Sequence, residues 1–138
     1  MTTLDLFGTA IFALSSSMLS LPELTYLSLS RCREIKRLDL HSKSLKELNL
    51  RYCLSLKKIS VTSKDIRKLD LFGCRDIESL ILHSKSLGEI NIRYCSCLKE
   101  ITMASNKITT LNLFGITIFA LSSSMLSLPK LTSLSLSR

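Results

Sequence analysis

A repeat of 21 residues limits what this chain can become more than any other feature of it. Four segments align at that step: LTYLSLSRC from Leu24, LKELNLRYC from Leu45, IRKLDLFGC from Ile66 and LGEINIRYC from Leu87. Cys32, Cys53, Cys74 and Cys95 therefore share one phase. Between them lie four shorter copies of the same apolar rhythm: IKRLDLHSKS from Ile35, LKKISVTSKD from Leu56, IESLILHSKS from Ile77 and LKEITMASNK from Leu98. Each unit is an 11-residue half followed by a 10-residue half. A longer period overlies the first, since the stretches starting at His41 and His83, 42 residues apart, agree at 10 of 13 positions. Residues 2–31 and 109–138 agree at 25 of 30.

Within a half, L-x-x-L-x-L puts Leu48 and Leu50 on one side and Asn49 on the other, the two-residue period of a half-buried strand. β-Branched residues at Ile59, Val61, Ile90, Ile92 and Ile101 favour the same geometry. The pieces between strands, such as residues 51–55, are too short for a useful helix. One unit offers six inward apolar residues, Leu45, Leu48, Leu50, Leu56, Ile59 and Val61, too few to offset the entropy of ordering a lone coil. Stability must come from stacking. The expectation is an all-β-dominated solenoid spanning residues 1–138 as one domain, with two short parallel strands per 21-residue coil and little or no helix.

Residues 11–23 and 118–130 are 13 long where other second halves have 10, and both contain ALSSSMLSLP. Pro22 and Pro129 cannot donate to a ladder, so bulged returns with a short helical turn around Met18 and Met125 are expected there. Neither end shows a polar capping repeat, which reads as a fragment of a longer array or as ends that stack on other copies head to tail.

Residues 45–53, with Leu56 three beyond the Cys, resemble the leucine-rich repeat consensus L-x-x-L-x-L-x-x-C-x-x-L in its cysteine-containing form. The match recurs at Leu24, Ile66 and Leu87 and partly at Met1, Ile108 and Leu131. Repeats of this kind are common in F-box substrate adaptors and plant proteins, so the resemblance implies an interaction module. Two departures stand out. Such repeats usually carry a convex-side helix where this chain reads as a second strand, and no F-box is visible.

Composition narrows the function classes. With 46% hydrophobic and 22% charged residues the 138-residue chain is folded, and four Gly and two Pro exclude a collagen-like design. The apolar stretch from Ile11 to Leu14 follows Asp5 with no Lys or Arg before it and recurs internally, so it is structure and not an export signal. No run approaches the ~18 apolar residues of a membrane span. Five Cys and no signal point to a reducing intracellular compartment, cytoplasmic or nuclear.

No catalytic or cofactor motif is found. The Cys32–Cys53–Cys74–Cys95 column has the spacing of the repeat and not the C-x₂₋₄-C of a zinc site, and it reads as small thiols packed in a turn ladder. Ser42, Ser63, Ser84 and Ser105 form a second column whose hydroxyls serve turn backbone, and none sits in a nucleophile elbow. Gly8, Gly73, Gly88 and Gly115 are too scattered to cradle a phosphate. Outward columns carry more information. Ser30, Arg51, Phe72, Arg93 and Phe114 form one, and Arg31, Tyr52, Gly73, Tyr94 and Gly115 its neighbour. Guanidinium groups on rings are expected there, offering Arg51, Tyr52, Phe72, Arg93, Tyr94 and Phe114 to a protein partner. Glu47-Lys68-Glu89 and Asn49-Asp70-Asn91 alternate in a way that serves sheet register. The charge of +8 arises within residues 31–107, where 17 basic residues face 9 acidic ones. Lys36, Lys43, Lys57, Lys58, Lys64, Lys85 and Lys99 make a candidate stripe for nucleic acid or another polyanion. The leading expectation is a non-catalytic protein-interaction scaffold. Polyanion binding and a self-associating structural segment are the rivals.

Overall fold

The computed structural model describes residues 2–12, 23–103, 107–113 and 133–136. The expected Met18 and Met125 turns, with Pro22 and Pro129, lie outside them, as do Phe114, Gly115 and Ser105. Among the described residues there is no helix.

Two parallel sheets form the walls of a flattened spiral. The first contains β1 (Thr2–Asp5), β2 (Leu24–Ser28), β4 (Glu47–Asn49), β6 (Lys68–Asp70), β8 (Glu89–Asn91), β10 (Thr110–Leu113) and β11 (Ser133–Leu136), in that spatial order. The second contains β3 (Arg37–Ser42), β5 (Lys58–Ser63), β7 (Ser79–His83) and β9 (Glu100–Met103). Every strand neighbours the equivalent strand of the adjacent coil, so the chain is a β-solenoid with two parallel strands in each central coil.

Register explains the repeat length. Leu27 pairs with Leu48, Leu48 with Leu69, and Leu69 with Ile90, so each inward side chain packs on its own equivalent in the next coil. On the opposite wall Leu38, Ile59, Leu80 and Ile101 form a matching column. The outer coils are longer. Leu4 pairs with Leu27 and Leu111 with Leu134, a step longer than the 21 residues of the central coils.

The core follows from alternation. In β3 and β5, exposed Arg37, Asp39, Lys58 and Thr62 alternate with buried Leu38, Leu40, Ile59 and Val61. Leu45, Leu50, Leu56 and Cys53 close the same section from the turns, all fully buried. At the far turn Ser63 and Ser84 are buried, and their hydroxyls donate to the carbonyls of Leu45 and Ile66, each at 3.2 Å. Ser42 Oγ accepts from the Leu45 N–H at 3.1 Å. These hydroxyls satisfy backbone groups that the bend removes from the ladder. At the β1 end Leu4, Leu6 and Ile11 are only partly buried against the core.

Because every inward leucine stacks on two others, one truncation is felt by three coils. Leu69→Ala is expected to cost ~2–5 kcal/mol in urea unfolding, whereas Lys68→Ala, on the outward side of the same strand, stays within ~0.5 kcal/mol.

Candidate interaction surface at the first turn

The turn that ends each first-sheet strand carries the distinctive chemistry. In the coil from Leu50 to Cys53 each backbone N–H has a partner. Leu50 N–H donates to Asp70 O at 2.7 Å and Tyr52 N–H to Phe72 O at 2.9 Å, continuing the ladder to the next coil. Between them Arg51 N–H turns away and is taken by Asn49 Oδ1 at 3.0 Å. Cys53 N–H then closes on Leu50 O at 3.3 Å. Asp70 and Asn91 repeat the side-chain capture on Phe72 and Arg93, at 3.0 and 3.2 Å. The Asn49-Asp70-Asn91 column thus fills a donor gap as well as lining up across the sheet.

The cysteines complete the same accounting. Cys53 Sγ donates to Leu29 O at 3.0 Å, Cys74 Sγ to Leu50 O at 2.9 Å and Cys95 Sγ to Leu71 O at 3.2 Å. Cys32 Sγ does the same to Leu6 O at 3.1 Å. Each thiol reaches the carbonyl on which the previous coil's turn closes, so Leu50 O accepts from both Cys53 N–H and Cys74 Sγ. All four are buried and unpaired, while Cys97 is exposed. Burial pushes the Cys95 thiol up to about 12. A thiol contact with Cys53, then burial, pushes Cys74 well above the ordinary range. Cys74 and Cys95, held neutral in this way, are poor nucleophiles and poor metal ligands, whereas the thiol contact with Cys74 holds Cys53 below the ordinary thiol value. Among the described residues no group of three or more His, Cys, Asp or Glu could hold a metal ion.

The turn needs a left-handed residue, and the sequence supplies two kinds. Gly8 and Gly73 take φ of 67° and 76° without penalty, but Arg31, Tyr52 and Tyr94 adopt 61°, 59° and 63° in the same column. A side chain there costs ~1–2 kcal/mol per residue. The alternation has a steric counterpart. A Cβ placed at Gly73 would fall 2.8 Å from two carbons of the Tyr52 ring, so the ring occupies the space that glycine leaves.

Rings and guanidinium groups then interleave along the edge. Phe72 meets Tyr52 edge-on with centroids 5.5 Å apart, and Tyr94 with centroids 5.4 Å apart. Arg31 lies over the Tyr52 ring and Arg51 over Phe72, each at 4.6 Å. Arg93 stands 5.5 Å from the Phe72 centroid and 5.6 Å from that of Tyr94. Arg51 also reaches Asp70 at 3.5 Å. Tyr52, Leu54, Phe72, Gly73, Arg75 and Tyr94 line an open groove of about 480 Å³.

The structure therefore brings Arg51, Tyr52, Phe72, Arg93 and Tyr94 together, while Phe114 lies outside the described residues. It adds Arg31, Leu54 and Arg75, which sequence reasoning did not select. For Arg31 the signal was its place in a column with Gly8 and Gly73. The lysines are exposed but do not form one stripe. Lys36, Lys57, Lys58 and Lys99 stand at the beginnings of the second-sheet strands, and Lys43, Lys64 and Lys85 at their ends. The length of β3 and β5, six residues each, keeps the two rows ~20 Å apart. Glu78 interrupts the first row between Lys57 and Lys99, and its main-chain carbonyl accepts the Lys99 N–H at 2.9 Å. Lys68 and Glu89, on the first sheet, pair at 4.0 Å.

Two consequences are measurable. Gly73→Ala is expected to cost ~1–3 kcal/mol, and less in a Tyr52→Gly background, where only the backbone penalty remains; a double-mutant cycle in urea reads the difference. For Cys95, folded and unfolded thiols are both protonated below the ordinary value of 9.0, so this thiol leaves stability constant there. Above 9.0 the unfolded thiol ionises first, and its contribution is lost progressively up to about 12. Cys95→Ser keeps a donor for Leu71 O and is expected to flatten part of that alkaline decline in unfolding free energy.

No family model, curated protein or solved structure matches this chain.

Proposed function

We propose that the chain is a non-catalytic protein-interaction scaffold that engages its partner through the first-turn edge. The observation that carries this reading is the retention of Tyr52 and Tyr94 at φ of 59° and 63°, in a column where Gly73 meets the same backbone demand without strain. A bulky ring held at an energetic cost needs a compensating use. The intramolecular contacts with Phe72 supply some of it, yet Tyr94 remains 41% exposed beside an open groove. Tyrosine and arginine are also the residue types that dominate binding energy at protein interfaces.

The resemblance to leucine-rich repeats accords with an interaction role, and substrate recognition of the adaptor kind is its narrower form. A polyanion-binding role has weaker support, because the lysines fall into two separated rows. The unpaired thiols agree with a reducing, intracellular setting. No described helix is long and apolar enough to cross a membrane.

The Arg93→Ala/Tyr94→Ala double variant is expected to keep its cooperative unfolding transition and to lose most of its capture of cellular partner proteins in an affinity pull-down. Undiminished capture by the folded double variant would remove this edge as the contact surface.

A further inference from the structure

The chemistry of the groove narrows the class of partner, and the inference rests on the reading of this edge as a contact surface. Tyr52, Leu54, Phe72, Gly73 and Tyr94 give the groove an apolar floor and walls, Arg75 is the charged residue that lines it, and no carboxylate does. Above Phe72 stand Arg51 and Arg93 at 4.6 and 5.5 Å from the ring. Arg51 is engaged by Asp70 at 3.5 Å, so exposed Arg75, which lines the groove, is the guanidinium that offers its fork of N–H donors to a carboxylate. The wider field has the same sign, since all of the net +8 falls within residues 31–107.

Base stacking fits this site poorly. Guanidinium groups already lie over the Tyr52 and Phe72 rings, and the aromatic contacts are edge-on, so few open ring faces remain. An apolar side chain needs only the recess. In an extended peptide, alternate residues point the same way, so one apolar anchor can descend into the groove while its acidic neighbours stay at the rim.

We propose that this groove binds an acidic, extended peptide segment of a partner protein. One aliphatic or aromatic side chain seats against Tyr52, Phe72 and Tyr94, and a flanking carboxylate pairs with Arg75.

Fluorescence anisotropy with a fluorescein-labelled peptide alternating Glu and Leu tests this on the whole chain. The peptide is expected to bind, and Tyr94→Gly to weaken it about tenfold, as loss of an interface anchor does. The glycine suits the backbone at φ 63°, so the variant removes the ring without adding strain. Leu54→Glu, on a partly exposed turn, is expected to weaken binding by a similar factor by placing a carboxylate in the groove. Lys64→Ala, on the far row, is expected to leave it unchanged. Equal binding of a Lys-Leu peptide overturns the charge preference. Equal binding of a Glu-Ser peptide, or heparin binding that Tyr94→Gly leaves intact alongside equally intact peptide binding, reduces the surface to a general attractor of anions and overturns the proposal. If the Glu-Leu peptide does not bind but the Arg93→Ala/Tyr94→Ala variant still loses partner capture, the acidic preference falls and the contact surface stands. If capture is also unchanged, both fall.

Discussion

The structure depends on one constraint: each coil must present the next with an identical backbone register. Parallel ladders on both walls require it, and the leucine columns reward it, because Leu27, Leu48, Leu69 and Ile90 pack only if the coils do not slip. A one-residue slip would turn every inward side chain outward. Exact stacking also means that any residue placed once per coil becomes a line along the spiral, whether it is a leucine, a thiol, an asparagine or a tyrosine.

The first turn shows how that constraint creates a surface. A bend tight enough to close the coil leaves backbone groups without ladder partners, and three columns answer it. Asn49, Asp70 and Asn91 accept the stray N–H, and Cys53, Cys74 and Cys95 donate to the carbonyl that closes the bend one coil earlier. The third column supplies the left-handed residue. There the chain departs from the cheapest solution, setting tyrosine beside glycine in alternate coils, so the 42-residue period of the sequence becomes a ring over a gap. Strain and ring packing meet at the same atoms, which is why this edge and not the lysine rows carries the functional reading.

Much of this was legible beforehand, and for a plain reason. Strand period and coil length are both written in spacing, so Leu48 opposite Asn49, and the columns of Cys and of Arg with Tyr, could be read directly from the chain. Other features carry no such mark. The acceptor of each thiol is a main-chain carbonyl, 24 residues upstream for Cys53, Cys74 and Cys95 and 26 for Cys32, and backbone groups look alike in any sequence. The positive φ of Arg31 was signalled only indirectly, by the glycines that share its column. The lysines fall at two phases of the repeat, on the strand after the Cys turn and at the second-half turn, but the spacing alone does not give the distance between them. Six-residue strands set that distance at ~20 Å.

The account turns on coils stacked so that Tyr52, Phe72 and Tyr94, each one coil from the next, meet at a single edge. Nuclear Overhauser spectroscopy on selectively labelled aromatic residues tests this most directly. The account predicts cross-peaks from the Phe72 ring to both tyrosine rings, together with one between the Tyr52 ring and the Gly73 α-protons. A folded chain in which Phe72 shows contact with neither tyrosine would contradict it.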